Sequence, residues 1–319
     1  MNPTDFGNHT TLTEFILLGF GNLGHLDLLF FFVFLVIYIA TMLGNILLIV
    51  LVVSDHNLHT PMYFFLGNLS CLEICYSSNI MPKMLAGLIL YQGKVISVAG
   101  CMMQFYFFGF LAVAECYLLA AMSYDRYVAI CKPLLYVIVM DGKTCVQLVA
   151  GAWVISLLVI NLIICLTQQL TFCGPNTIDH FFCDYSPLLK LSCSDTHMME
   201  LVTTLLSGVC SLPPFVLTLA SYSSIIRAIL RIPSTVGKQK AFSTCSSHLM
   251  VVSIFYGTII IVYLLPRTDA MRDWNKVFSL FYIVLTPLLN PLIYSLRNRE
   301  VQNALSKVLL KLSTYRTVA

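Results

Sequence analysis

Charge is scarce in this sequence of 319 residues. Only 10% of the residues are Asp, Glu, Lys or Arg, and 58% are hydrophobic, whereas a soluble domain carries about 25% charged residues. Four segments contain no charged or histidine side chain: Leu28–Val53, Leu201–Ile226, Leu249–Pro266 and Val277–Leu296. Each is close to or above the roughly 18–20 residues that a helix needs to span a bilayer. The composition therefore predicts a polytopic membrane protein, with no nucleic-acid partner.

Three further spans appear when one buried charge is accepted. Pro61–Met81 is interrupted only by Glu73, Val98–Tyr124 is interrupted only by Glu115, and Thr144–Leu166 is uncharged. The total of seven spans predicts an all-α membrane protein built as a seven-transmembrane helix bundle. An odd number of spans requires the two termini to lie on opposite sides of the membrane.

Lysine and arginine are absent from Asn2–Asp27 but frequent after the last span. The basic residues of the tail are Arg297, Arg299, Lys307, Lys311 and Arg316. By the positive-inside rule the tail is cytoplasmic and the N-terminus is outside. The predicted organisation is an extracellular segment 1–27, a membrane domain 28–296 and a cytoplasmic tail 297–319. The triplet "NHT" makes Asn8 a candidate for N-glycosylation.

The tail has a helical pattern of apolar residues. Val301, Leu305, Val308, Leu309 and Leu312 recur at helical spacing, with basic residues among them. This pattern predicts a short amphipathic helix along the inner leaflet, near anionic lipid. The alternative is a disordered tail.

Four of the twelve cysteines lie towards the predicted outer side: Cys101, Cys173, Cys183 and Cys193. Disulfides persist in that oxidising environment, and four cysteines allow three pairings. His180 and Asp184 flank Cys183 in "HFFCD", so a metal site is the alternative to a disulfide.

Two glutamates lie at membrane depth, where an ionisable residue is costly and suggests function. Glu73 lies roughly 20 Å from the inner end of its span, and Glu115 roughly 16 Å from Arg126, at 1.5 Å per residue. The antiparallel helices bring the two carboxylates to a similar depth. Two nearby carboxylates cannot both stay charged unaided. We expect either a bound cation, Na⁺ being favoured, or protonated glutamates that make interhelical hydrogen bonds.

Helical phase places several of these residues on shared faces. Phe105, Phe108, Ala112, Glu115 and Arg126 share one face of the third span, and Leu280, Ile283, Pro287, Asn290 and Tyr294 share one face of the seventh. The alternative interpretation of both faces is helix packing with polar contacts. At the end of the third span, Asp125 can neutralise Arg126 and hold it inward.

Four strings carry a family resemblance: "PMYFFLGNLS" begins the second span, "MSYDRYVAIC" ends the third, "KAFSTCSSHL" enters the sixth and "PLLNPLIYSLRN" closes the seventh. With them the chain resembles, over essentially its full length, the olfactory receptors of the rhodopsin-like G-protein-coupled family. It is most similar to the tetrapod type that responds to airborne, mostly apolar odorants. Two departures are Ser123, where the family more often has alanine, and Glu73, where it usually has aspartate.

The resemblance implies the disulfides Cys101–Cys183 and Cys173–Cys193, and a ligand pocket in the outer half of the bundle. The implied pocket residues are Phe105, Phe108, Gly109, Ala112, Val113, Leu206, Ser207, Cys210, Tyr256, Ile259, Ile260, Tyr263, Leu280 and Ile283. The residues implied in activation and G-protein coupling are Asp125, Arg126, Tyr127, Tyr222, Asn290, Pro291 and Tyr294. An apolar lining with a few hydroxyls suits a small, weakly polar volatile.

We therefore expect a plasma-membrane odorant receptor that activates a stimulatory, olfactory-type heterotrimeric G protein and raises cyclic AMP. We expect no enzyme activity and no cofactor beyond Na⁺. The alternative is a non-olfactory receptor of the same fold, although Phe108 stands where an amine receptor has an acidic residue. A transporter or an intramembrane enzyme is disfavoured, because the sequence shows neither paired broken helices in an inverted repeat nor a catalytic triad at membrane depth.

Overall fold

The structure is a computed structural model that describes residues 12–21, 24–168, 170–172, 176–261, 272–297 and 300–308. Most of these residues are helical, as the long apolar runs predict. In chain order the helices are α1 (Leu26–Ser54), α2 (Pro61–Ile89), α3 (Val98–Cys131), α4 (Gly142–Thr167), α5 (Tyr185–Leu189), α6 (His197–Arg231), α7 (Thr235–Ile259), α8 (Arg272–Leu280), α9 (Thr286–Arg297) and α10 (300–308). Single helical turns lie at His56–Leu58, Tyr91–Lys94, Pro133–Leu135 and Tyr136–Val139. A π-helical turn, Phe281–Leu285, joins α8 to α9.

Five helices of the described chain are long and apolar enough to cross a membrane, judged by length and composition. They are α1, α3, α4, α6 and the continuous helix that includes Lys276–Ile293. Helix α2 covers the predicted span Pro61–Met81 but is less apolar, because Asn68, Asn79 and Lys83 join Glu73 along it. The predicted span Leu249–Pro266 is helical up to residue 261, beyond which it lies outside the described residues.

Several helices extend beyond their predicted spans, among them α2 and α3. Helix α2 continues through Pro82 to Ile89, although a proline removes one backbone hydrogen bond. Within a bundle, neighbouring helices and local adjustments of the backbone allow such a proline to be accommodated. Helix α3 continues to Cys131, so Arg126 lies more than a turn before the helix end instead of at it.

Capping side chains fix where α3 and α4 begin. The Ser97 hydroxyl accepts a hydrogen bond from the Gly100 backbone N–H at 3.0 Å, and the Asp141 carboxylate accepts one from the Thr144 N–H at 2.8 Å. Both residues satisfy N–H groups that have no partner within the first turn of a helix. Helix α3 is the centre of the packing and contacts α2, α4 and α6.

A three-stranded sheet covers one end of the bundle. Strand β1 (Glu14–Leu17) pairs antiparallel with β2 (Val95–Ser97) and parallel with β3 (Thr177–Ile178). Phe15 and Leu17 alternate with more exposed neighbours and are buried beneath the sheet, as the two-residue period of a strand requires. We call this assembly, residues 14–20, 95–97 and 177–189, the lid. These strands were not predicted from the sequence.

A disulfide between Cys101 and Cys183 ties the lid to the first turns of α3, with their Cα atoms 5.4 Å apart. Cys193 is also disulfide-bonded, and its backbone N–H donates to the Thr171 carbonyl at 3.0 Å. Its predicted partner, Cys173, lies outside the described residues, as does Asn8. With Cys183 oxidised, the alternative metal site in "HFFCD" has no thiolate ligand.

Helix α10 lies against the opposite end of the bundle from the lid. Val301 and Ala304 are buried, and the Tyr63 hydroxyl donates to the Glu300 carboxylate at 2.7 Å. Lys307 forms a 2.9 Å ion pair with Asp55, so this basic group contacts the protein. Leu309 and Leu312 lie outside the described residues.

Replacing Cys183 with serine should lower the free energy of unfolding by about 2–5 kcal/mol, because the disulfide closes a long loop. The measurement is thermal or chemical unfolding of purified protein under non-reducing conditions. Cys165→Ser is the matched control, since Cys165 is a free, exposed cysteine. Equal stability of Cys183→Ser and wild type would contradict a stabilising role for the bond.

Candidate functional site

The side chains of the predicted pocket fall into two apolar clusters along α3. The lid-side cluster joins Phe105 and Cys210, with Val113 and Leu206 packed against it. The central cluster joins Phe108, Tyr256 and Ile283, with Ala112, Ile259 and Leu280 packed against it. Phe105 and Phe108 are each 5% exposed. They lie on consecutive turns of α3, and each belongs to a different cluster.

Three predicted pocket residues do not join these clusters. A Cβ atom on Gly109 would lie 2.6 Å from Ile160 Cδ1, so Gly109 permits close packing of α3 on α4. Ser207 lies on the exposed face of α6, whereas Thr203, one turn earlier, is buried. Ile260 is half-buried where α7 changes to a wider π-helical turn. Tyr263 lies outside the described residues.

Aromatic rings from the lid reach into the bundle, which the sequence analysis did not predict. Phe182 of the lid lies 4.9 Å from Phe108, measured between ring centroids, and Tyr76 and Tyr282 lie 5.5 and 5.9 Å from it. The Tyr256 hydroxyl donates to the Cys116 carbonyl at 3.2 Å. The interior around Phe108 is therefore mainly aromatic, and a hydrogen bond fixes the position of the Tyr256 hydroxyl.

Gln104 links the lid to two helices. Its amide oxygen accepts a hydrogen bond from the Cys183 N–H at 2.9 Å, and its amide nitrogen donates to the Asn79 carbonyl at 3.0 Å. The Asn79 side chain donates in return to the Gln104 carbonyl at 2.9 Å. Because Gln104 precedes Phe105 and is itself buried, these bonds hold the lid in register with the start of the lid-side cluster.

His180 is buried within the lid among the rings of Phe181 and Phe182, whose centroids lie 4.5 and 4.6 Å away. Its Nδ1 has no hydrogen-bond partner among the described residues. Burial, followed by the positive charge of Lys276, lowers the pKa of His180 to about 3, and the Asp179 charge opposes this shift. Lys276 and Asp179 form an ion pair beside the lid. The lid is therefore built around a neutral imidazole.

The two interior glutamates are within electrostatic range of each other, and both are buried. The Asn290 amide donates to Glu73, and the Asn45 amide donates to the Pro287 carbonyl at 3.0 Å. Four side-chain oxygens here are buried without a partner among the described residues: Asn45 Oδ1, Glu73 Oε2, Glu115 Oε1 and Asn290 Oδ1.

Hard cations take oxygen ligands, so this donor set fits a cation such as Na⁺. Within the described ranges, no group of three or more His, Cys, Asp or Glu side chains could hold a metal ion. A cation would therefore depend on Glu73, Glu115 and the amide oxygens.

At the far end of α3, both oxygens of the Asp125 carboxylate accept hydrogen bonds. Arg126 Nη2 and Nε lie 2.5 and 2.9 Å from Asp125 Oδ2, and the Tyr136 hydroxyl donates to Oδ1 at 2.8 Å. Burial and the Asp125 charge raise the pKa of Tyr136, so its hydroxyl remains a donor. Asp125 is completely buried. The pair with Arg126 was predicted from the sequence, whereas the contact with Tyr136 was not, because Tyr136 has no helical phase relation to Asp125.

Beside Arg126, a short hydrogen bond connects α6 to α7. The Tyr222 hydroxyl lies 2.5 Å from His248 Nδ1, and both side chains are buried. His248 lies in the string "KAFSTCSSHL", to which the sequence analysis assigned no role. Tyr127 is half-buried, with the Lys132 ammonium 5.8 Å from its ring centroid.

Two residues of α9 that the resemblance implied in activation are Pro291 and Tyr294. Pro291 is buried and packs close to α1, since a Cβ on Gly44 would lie 3.1 Å from it. The side chain of Tyr294 lies outside the part of the chain that the structure describes.

Apolar helices, a disulfide-tied lid over an aromatic interior and a buried Asp–Arg pair at the other end are the features of a helical membrane protein. The family model "Olfactory receptor" matches residues 34–312. The chain is 50% identical over 309 residues to olfactory receptor 11A1 of Homo sapiens, covering 97% of each chain. It is 48% identical over 306 residues to olfactory receptor 1468 of Rattus norvegicus, covering 95% of this chain and 96% of that one. The chain belongs to the olfactory receptor family, whose members are receptors and not enzymes.

The low pKa of His180 predicts acid sensitivity of the lid. The unfolded chain binds a proton to this residue near pH 6.5, whereas the folded protein resists protonation until about pH 3. Stability is therefore fully present above pH 6.5 and is lost as the pH falls towards 3. Between pH 7.5 and 5 we expect a loss of about 2 kcal/mol from this residue.

The measurement is the unfolding free energy of purified receptor at both pH values, for wild type and His180→Gln. The variant should lose about 2 kcal/mol less than wild type on acidification. His197→Gln, at an exposed histidine of α6, is the control and should behave as wild type. An equal loss in all three proteins would show that His180 does not carry the effect.

Proposed function

We propose that this protein is an odorant receptor that binds a small, mostly apolar volatile beneath the lid. Binding activates a stimulatory heterotrimeric G protein and raises cyclic AMP. Membership of the olfactory receptor family over nearly the whole chain carries the proposal. The direct test is GTP exchange on the purified G protein, catalysed by purified receptor only when an odorant is present.

We propose the plasma membrane as its location, with seven spans, the N-terminus and lid outside and the tail inside. The seven proposed spans are the five long apolar helices together with α2 and α7. The basic tail and the absence of Lys and Arg before α1 support this orientation. The disulfide at the lid is also in keeping with an oxidising outer side.

The ligand would lie between the lid-side and central clusters. Both are apolar, and the hydroxyls of Tyr256 and Thr203 are fixed by hydrogen bonds at their edges. A small volatile could bury most of its surface there, with few polar groups to fix its orientation. Movement of Phe182 or Tyr282 against Phe108 would transmit the effect of ligand binding to the centre of the bundle.

The G protein would bind at the end of the bundle that carries Arg126. Leu134, Val137 and Ile138, in the two turns after α3, are 93%, 81% and 74% exposed. Such an exposed apolar group beside a buried charged pair is typical of a protein-binding surface. We propose that Asp125 and Tyr136 hold Arg126 inward at rest, and that the G protein engages Arg126 and Tyr127.

Activation would then separate α6 from α7 next to this pair. The Tyr222–His248 bond joins those helices, and opening the cavity requires this bond to break or to be exchanged. A ligand roughly 20–25 Å away biases the opening only if it binds the open state more tightly. Tyr222 and Tyr294 would brace the open form, and the face that carries Asn290 and Pro291 would shift with α9.

Arg126→Ala should abolish odorant-dependent cyclic AMP while surface expression stays measurable, because the proposed contact with the G protein is lost. The assay is cyclic AMP in transfected cells, normalised to surface receptor. Arg227→Ala, at an exposed arginine of α6, is the charge-matched control and should signal normally. Normal signalling by well-expressed Arg126→Ala would contradict the assignment.

We also propose that Na⁺ binds between Glu73 and Glu115 and stabilises the resting bundle. Two desolvated carboxylates in one site need a counter-charge or a shared proton, and the unpartnered oxygens around them would supply ligands. When bound, Na⁺ would neutralise the pair without a proton. Activation would shrink the site, so ion and odorant would oppose each other reciprocally.

Raising the Na⁺ concentration should therefore weaken odorant potency, by about 5–150-fold at most. Glu115→Gln should remove this dependence, because an amide keeps hydrogen bonding but not the charge. Potency is measured at constant ionic strength, with choline replacing Na⁺. Glu200→Gln, on the first turn of α6, is the control. Unchanged Na⁺ dependence in Glu115→Gln would identify the glutamates as packing groups.

A further inference from the structure

We propose that the exposed face of α4 binds a second copy of this chain, and that facing Asn161 side chains set the register of the two helices. This surface is separate from the proposed ligand pocket and from the proposed G-protein surface. The inference depends on the membrane-spanning fold and not on odorant binding or signalling.

Helix α4 has two opposite faces. One face is buried, includes Ala152, Ser156 and Ile163, and packs mainly against α3. The opposite face carries Gln147, Gly151, Val154, Leu158, Asn161 and Cys165, all exposed except the half-buried Gly151. No helix of the described chain covers this second face, so in a membrane it meets either lipid or another protein. We call these six residues the lipid-side face.

Asn161 is a polar residue on this lipid-side face. It lies six positions before the last residue of α4, about 9 Å along the helix axis, and therefore within the predicted span Thr144–Leu166. Its amide nitrogen donates one hydrogen to the Leu157 carbonyl at 2.7 Å. A side-chain amide has a second hydrogen and an acceptor oxygen, and neither has a partner among the hydrogen bonds of the described residues. Hydrocarbon chains cannot supply one.

A second copy of the chain supplies both missing partners. Two copies inserted in one membrane have the same orientation, so a two-fold axis along the membrane normal places their α4 helices parallel, face to face. Each Asn161 amide then offers one hydrogen and one oxygen to the other, and the pair can exchange two hydrogen bonds. This self-complementarity favours a second copy over a lipid tail as the occupant of the face.

The spacing of the lipid-side face fits the same arrangement. Its members follow one another by four, three, four, three and four residues, the repeat with which two parallel helices pack side by side at about 20°. One asparagine in such a repeat fixes register and oligomeric state. A Cβ atom on Gly151 would meet nothing within 4 Å, so a partner backbone can approach closely there.

Cys165 provides a direct test of the geometry. It is a free, exposed cysteine one turn beyond Asn161, and the two-fold axis would bring the two copies of Cys165 opposite each other. Membranes containing the full-length receptor are oxidised with copper phenanthroline and analysed on a non-reducing gel. We expect a covalent dimer that is lost in Cys165→Ser. Cys75→Ser, at an exposed cysteine of α2, is the matched control and should keep the dimer.

A second measurement tests Asn161 itself. Purified receptor carrying donor or acceptor fluorophores is reconstituted in phosphatidylcholine vesicles, and energy transfer is followed as lipid dilutes the protein. Asn161→Leu should raise the dissociation constant of the dimer about three- to twentyfold, since the paired hydrogen bonds are lost. Asn161→Gln, which keeps the amide, should lie closer to wild type. Ser207→Ala, on the exposed face of α6, is the control and should associate as wild type.

Asn161→Leu replaces a lipid-side amide with an apolar side chain, so unchanged thermal stability of the separated receptor would show that the fold is intact. A receptor that stays monomeric at all dilutions would overturn the inference and leave lipid as the occupant. Unchanged association of Asn161→Leu, or a covalent dimer that persists in Cys165→Ser, would also overturn it. None of these results depends on cyclic AMP, so the proposed signalling function is tested separately.

Discussion

In the hydrocarbon core of a membrane, a polar group without a partner costs several kcal/mol, and this constraint shapes the whole bundle. At both ends of the bundle the chain meets it by pairing buried polar groups with one another. Asp125 is bonded to both Arg126 and Tyr136 at one end. Gln104 is bonded to Asn79 and Cys183 at the other. Between them, the region around Glu73 and Glu115 retains unpartnered oxygens, and for that reason it is the part of the interior most suited to a cation.

The lid also pairs polar groups with one another, at the end of the bundle beside the proposed pocket. Its sheet satisfies the backbone groups of three separate segments, and its disulfide and the Gln104 bond attach it to α3. Because Phe182 and Tyr185 descend from it onto Phe108 and Phe105, the lid also forms part of the proposed pocket. Ligand recognition and lid stability are consequently coupled. A change at Cys183 or His180 should affect both.

The hydrogen bond from α6 to α7 through Tyr222 and His248 and the pair of Asp125 with Arg126 lie at the far end. Each is buried, and the exposed apolar residues Leu134 and Val137 are on the nearby turns. Under the proposed function this arrangement gives the receptor two discrete states. In one, Arg126 is held by Asp125; in the other, α7 has moved and Arg126 faces a partner. A distant ligand needs only a difference in affinity between the two states.

Composition and spacing alone determined that the chain is a helical membrane protein, since length and the absence of charge fix which segments can cross a bilayer. They also identified Glu73, Glu115 and the pair of Asp125 with Arg126, because charges stand out in apolar runs. Helical phase could not assign Gly109 to packing against Ile160 or Ser207 to the exposed face of α6, since it gives relative and not absolute orientation. Only the tertiary structure joined Tyr136 to Asp125, His248 to Tyr222 and Tyr185 to Thr203. Such contacts link separate elements, and they depend on how helices and lid pack, which no local periodicity encodes.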